Sequence, residues 1–165
     1  MFGCTNTDGT TPAGSWYRVF SLAEAGITNT FSVEKVTFGV CFAVGTPTVD
    51  VEIGTYAGSI TDPTLDLAKI TPVRSVNAVP VAADQISKLV DVPLTADFAP
   101  GTNIVVEIST KDFNGTGDQL SIGLTAAGET RAGFLRSPLC GPAVPMTTTA
   151  VGANAHFVIT VTGTR

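Results

Sequence analysis

The chain has 165 residues, of which 44% are apolar and only 14% charged. That is one domain's worth of sequence, able to bury roughly 70% of the surface its unfolded form exposes, and it is too apolar and too weakly charged for a disordered chain. Nine Lys and Arg against 14 Asp and Glu leave a net charge of −5. The basic residues never cluster, which argues against a nucleic-acid partner, since phosphate neutralisation needs grouped cations. No apolar run reaches the length of a membrane span.

Thr (25) and Val (19) dominate, with 17 Gly and 10 Pro to make turns. β-branched side chains suit pleated, half-buried surfaces, so this is an all-β composition. Residues 1–14 read as a polar leader and residues 15–165 as one domain. Ser15 to Phe20 opens it with a strand. Ser21 to Glu24 has capping-box spacing, with Gly26 as the closing residue of a single helical turn. Phe31 to Val44 is the strongest strand: Val36, Phe38, Val40 and Phe42 alternate with Thr37, Gly39, Cys41 and Ala43. Gly45-Thr46-Pro47 turns the chain into a second strand, with Val49, Val51 and Ile53 inward and Asp50 and Glu52 outward, and the two are expected to form a hairpin.

Residues 57–66 read as a loop. Leu67 to Val79 is a weaker strand, and Pro72 makes it an edge or bulged one. Ile86 to Val92 alternates weakly, and Asp97 to Thr102 is a turn. Asn103 to Thr110 is nearly continuously apolar at its centre, the mark of a central strand. Asp112 to Asp118 is a Gly-rich loop, Leu120 to Thr125 a short strand, residues 126–153 irregular, and Ala155 to Gly163 a last strand with Phe157, Ile159 and Val161 on one face. Eight or nine short strands with regular turns predict a two-sheet antiparallel β-sandwich of jelly-roll type, with the first strand beside the last.

Several segments taken together resemble a family of jelly-roll accessory domains found in secreted bacterial multidomain proteins. They are Phe2-Gly3-Cys4, Tyr17-Arg18-Val19-Phe20, Gly26-Ile27-Thr28-Asn29, Val36-Thr37-Phe38-Gly39-Val40, Asn103-Ile104-Val105-Val106-Glu107, Ile122-Gly123, Gly128-Glu129-Thr130, Leu139-Cys140-Gly141 and Val161-Thr162-Gly163. The resemblance implies a secreted or cell-surface location and a role in adhesion, substrate attachment or spacing. It carries no catalytic residue.

The three cysteines are Cys4, Cys41 and Cys140. Cys4 and Cys140 lie in turn-rich segments, whereas Cys41 lies inside a strand as a small apolar filler. Pairing Cys4 with Cys140 would close a long loop, a stabilisation on the order of 4–5 kcal/mol, and the resemblance points to the same pair. No CxxC or Cys/His cluster suggests zinc, and no GxSxG elbow accompanies the only histidine, His156. Asp50 and Glu52 project from one strand face, the arrangement of a glycosidase carboxylate pair, but few aromatic rings are near in sequence. Non-catalytic is the expectation.

Two segments suggest ligands. Asp112, Asn114, Thr116 and Asp118 place oxygen-bearing side chains at alternate loop positions, resembling part of a calcium loop but without a Glu at its twelfth position. Asn114-Gly115-Thr116 also matches a glycosylation sequon. Trp16 and Tyr56 are candidate stacking rings for a glycan. The functional expectations are therefore an extracellular adhesion or accessory module, a carbohydrate-binding module helped by calcium, or a self-assembling surface or fibre subunit that lends residues 1–14 to a neighbour.

Overall fold

Alternating β-branched residues make strands, and here they make little else. The computed structural model describes residues 5–125, 131, 133–153 and 155–165, and within these it is all-β with antiparallel pairing throughout. The strands are β1 (Gly14–Ser21), β2 (Phe31–Val44), β3 (Thr48–Tyr56), β4 (Ile70–Pro80), β5 (Leu89–Phe98), β6 (Asn103–Thr110), β7 (Gln119–Ile122), β8 (Leu124–Thr125), β9 (Gly133–Arg136), β10 (Met146–Thr147), β11 (His156–Phe157) and β12 (Ile159–Thr164).

Among the described residues these are twelve, where eight or nine are expected. Two additions, β9 and β10, fall in the stretch read as irregular, because Gly-, Pro- and Thr-rich sequence hides a four-residue strand that pairs with β1. Val158 also splits the expected last strand into β11 and β12. Leu67–Lys69 is a short 3-10 turn capped by the Asp66 carboxylate, so β4 starts later than expected.

One sheet has six strands in the order β10-β9-β1-β6-β3-β4. The other has the order β12-β2-β5, with β7 also on β2, and β8 and β11 form a small third sheet. Strand β6 is central, as its continuous apolar run requires, and β4 is an edge strand with register shifts against β3. The inward faces of the two main sheets share one core, in which Val51, Ile53, Val106 and Ile108 from one meet Val36, Phe38, Val92 and Ile159 from the other. Sheets facing across one apolar layer form a sandwich-like arrangement.

Two expected pairings are not formed. Strands β2 and β3 are not a hairpin: β2 pairs with β12, β5 and β7, and β3 with β4 and β6. Gly45–Pro47 instead carries the chain from one sheet to the other, so the valines of both strands face the same core from opposite sides. Nor does β1 lie beside β12; it runs between β6 and β9. The link between β1 and β12 is a side chain, the Arg18 guanidinium donating to the Ile159 carbonyl at 2.8 Å across the sandwich.

The expected face of β2 holds for Val36, Phe38 and Val40 and then breaks. A bulge between Val40 and Phe42 makes Cys41 the extra residue, so Ala43 takes the next core position. Cys41 is an exposed free thiol rather than a packed filler, because a bulged residue leaves the alternation of its strand. The same region joins three strands. Gly39 donates its N–H to Val158 and accepts from Gly123, so β12 and β7 meet end to end along one edge of β2.

The expected helical turn is present as a hydrogen-bonded turn. Ile27 N–H reaches the Leu22 carbonyl and Gly26 N–H that of Ala23, closing it at Gly26.

Candidate functional site

Four chain segments converge at one end of the sandwich: residues 5–13, the loop from β6 to β7, the turn after β9, and the segment before β11. Thr11 ties the first two together. Its N–H donates to the Asp118 carbonyl at 3.2 Å and its carbonyl accepts from Phe113 N–H at 3.0 Å. Its hydroxyl donates to the Leu120 carbonyl and accepts from the Leu120 N–H. Phe113 drives its ring into the core, which anchors the loop. Residues 5–13 are therefore not a free arm: Thr10, Thr11 and Pro12 are buried against their own chain.

Asp8 joins the same two segments at the surface. Its carboxylate accepts from the Thr10 hydroxyl at 2.6 Å and from Gly115 N–H at 2.7 Å. The Thr10 hydroxyl, and then the Gly115 and Thr10 amides, hold this carboxyl below the usual range, because each stabilises the anion.

The side chains of the expected calcium loop make hydrogen bonds within the chain. Asp112 accepts from the Asn6 side-chain amide at 2.7 Å and from the Asn114 N–H at 3.0 Å. Thr116 donates its hydroxyl to the Phe113 carbonyl, and Asp118 accepts from Thr46 N–H at the β2–β3 crossing. Asp112 and Asp118 thus serve different neighbours, Asn6 and Asn114 for the first and Thr46 for the second. Among the described residues no group of three or more His, Cys, Asp or Glu gathers in a way that could hold a metal. In these contacts short polar side chains satisfy nearby amides, as they do in turns.

Trp16 and Tyr56 are both buried, at 8% and 4% exposure. They face opposite sides of the six-stranded sheet, Trp16 in the inter-sheet core and Tyr56 in a second cluster with Tyr17, Leu65 and Phe134 on the outer face. Neither presents an open stacking face, and they do not form one site. Apolar rings on a sheet with cover on both sides are drawn into packing. Trp16 does border a cavity of about 390 Å³, with Leu135 beside it and Cys140, Gly141 and Pro142 on the outer wall. Next to it lies a broader cleft of about 770 Å³, bordered by Asn6, Asp112, Asn114, Pro138 and the 64%-exposed Leu139. Pro12 and Cys140 border both. The cavity falls in the size range of small-ligand pockets, which combine apolar walls with a few polar groups.

Cys4, the expected partner of Cys140, lies outside the described residues. His156 is buried in β11 opposite Thr125.

A second polar group sits on the outer face of the six-stranded sheet. Asp50 and Glu52 do project from that face, but Asp50 accepts from Ala78 N–H at 2.7 Å, at a point where β4 takes a positive φ. The neighbour of Glu52 is Glu107, its register partner on β6. Glu107 in turn accepts from the Tyr17 hydroxyl at 2.9 Å. Partial burial, then the Glu107 charge, pushes the Glu52 carboxyl up. Sequence reading misses Glu107 because the two residues meet only through strand register.

No family model matches the chain, and no curated protein matches it. Among solved structures, the crystal structure of the cysteine protease and lectin-like domains of Cwp84, a surface layer associated protein of Clostridium difficile, is similar, with a TM-score of 0.58 at 11% identity. The match covers 92% of this chain and 32% of that one, so this chain spans about a third of its length. At that identity the likeness is one of fold. Among the described residues no helix is long and apolar enough to cross a membrane.

Proposed function

We propose that this chain is a non-catalytic, cell-surface β-sandwich module of jelly-roll type that binds an extracellular glycan at the end where residues 5–13, the 112–118 loop and the 137–142 turn meet. The observation that carries the reading is the paired cavity and cleft there. Together they offer hydroxyl, amide and carboxylate groups beside Leu139 and three prolines, with the only tryptophan on the inner wall. Sugars need both kinds of surface, polar groups for their hydroxyls and apolar ones for their C–H faces. The fold likeness to a chain with a lectin-like domain supports the same class. The adhesion and accessory roles follow if the glycan belongs to a cell wall or a host surface.

The self-assembling reading is less well supported, since residues 5–13 are hydrogen-bonded within their own chain rather than available to a neighbour.

Trp16 gives a direct test. Its fluorescence should change on titration with a binding polysaccharide, because it is the only indole and borders the cavity. Asn114→Ala with Leu139→Ser should abolish the response without lowering Tm. A panel of cell-wall and host glycans that leaves both fluorescence and sedimentation unchanged would overturn the reading.

A further inference from the structure

We propose that Asn114-Gly115 is a self-modification site whose reactivity is held down by the carboxylate of Asp8. An Asn followed by Gly can close on itself. The Gly115 backbone nitrogen attacks Cγ of Asn114, the N–Cγ bond forms and the Cγ–Nδ2 bond breaks. The amide proton leaves with the side-chain nitrogen as ammonia. Water then opens the cyclic imide at either carbonyl, giving aspartate or isoaspartate. Two features of the loop favour closure. Asn114 is exposed, so water and base reach it. Gly115 has no side chain to hinder attack. The turn from Phe113 to Thr116 is closed by a 2.9 Å hydrogen bond, with Gly115 at φ +77° and Asn114 at negative φ.

One feature opposes closure. The attacking nitrogen must lose its proton, and Gly115 N–H donates that proton to Asp8 Oδ2 at 2.7 Å. A carboxylate acceptor holds the proton and disfavours negative charge on the nitrogen behind it. Thr10 fixes the other oxygen of the same carboxylate through both its N–H and its hydroxyl, so the guard is itself positioned. The consequence reaches the cleft. Asn114 borders it beside Asp112, and conversion would replace a neutral amide with a second negative charge.

The test compares the full-length protein with Asp8→Asn and Asp8→Ala in mildly alkaline buffer, with urea-unfolded wild type as the reference. Ammonia release and peptide mapping across the loop report conversion. Folded wild type should convert far more slowly than the unfolded reference, and both variants on the order of tenfold faster than folded wild type. Equal rates for folded and unfolded wild type, or for variants and wild type, would overturn the proposal. Should the variants fail to fold, hydrogen exchange of the Gly115 amide in wild type decides: it must be slowed relative to the unfolded chain, and exchange at the unfolded rate overturns it.

Discussion

Glu52 of β3 and Glu107 of β6 are direct register partners on the outer face of the six-stranded sheet, and the Tyr17 hydroxyl donates to Glu107 alone. Glu52 is partly buried against this like-charged neighbour, and burial first, then the Glu107 charge, pushes its carboxyl up. Like charges directly opposite on a sheet destabilise it.

Glu52→Gln should therefore stabilise the protein at neutral pH. A carboxyl raised above its unfolded value favours folding fully below that unfolded value, and the contribution is lost as pH rises through the folded value. The variant's advantage should appear above the ordinary carboxylate range and vanish in acid. With about 0.2–1 kcal/mol at stake, the gain in Tm is roughly 1–3 °C. Asp91, lowered by its bonds to Lys35 and Thr37, gives the opposite slope in both proteins and cancels in the comparison. A variant that gains equally at every pH would show that the charge pair is not the cause.

Tyr17→Phe keeps the ring and removes the donor. The ring is fully buried, and burial, outweighing every other influence, pushes the phenol well above its ordinary value, so it remains a donor at neutral pH. Losing a bond to a charged acceptor should cost about 1–3 kcal/mol in urea unfolding. Combined with Glu107→Gln, the two losses should not add, since both remove one interaction.

Gly54 sits at the register shift between β3 and β4. A Cβ placed there would meet the Thr71 carbonyl oxygen at 2.5 Å, a backbone atom that cannot rotate away. Gly54→Ala should cost about 1–3 kcal/mol, the price of overpacking, read as a lower urea midpoint at unchanged slope. Gly101→Ala, with open space around its Cβ but φ +75°, separates crowding from backbone strain.

The proposed Cys4–Cys140 bond predicts one linked peptide pair by mass spectrometry without reductant. Cys41 should alkylate in the native protein, being exposed on its bulge. Reduction should lower stability by up to about 4–5 kcal/mol. Three alkylatable thiols in the native state would remove the bond from consideration.

Calcium should leave Tm unchanged. A ligand bound only by the native state raises its stability, and Asp112 and Asp118 already accept from separate amides, those of Asn6 and Thr46. A rise of several degrees over a chelator control would mean that the loop rearranges around the ion.

Most strand positions could be read from composition and alternation. Val49, Val51 and Ile53 face the core as their spacing requires, and β6 is central because residues on both its faces are apolar. The site was legible only in fragments. Asp112, Asn114, Trp16 and Cys140 all stood out individually, yet nothing in their spacing places them around one end of the sandwich. Asn6, Asp8 and Thr11, which build that end, carry no signal in the sequence, because polar side chains in a polar stretch look alike whether they are solvated or bound.

What the sequence determined by itself is the period of the chain: a side chain's face on a strand depends on neighbours two residues away, so all-β character, inward faces and turns are local properties. Strand partnership is not. Alternation says that β2 and β3 each bury valines, and it says so equally for a hairpin and for two strands facing each other across a core. Only the packed structure decided that Gly45–Pro47 crosses between sheets, that the bulge expels Cys41, and that Glu107 meets Glu52, because each depends on backbone hydrogen bonds between residues far apart in the chain.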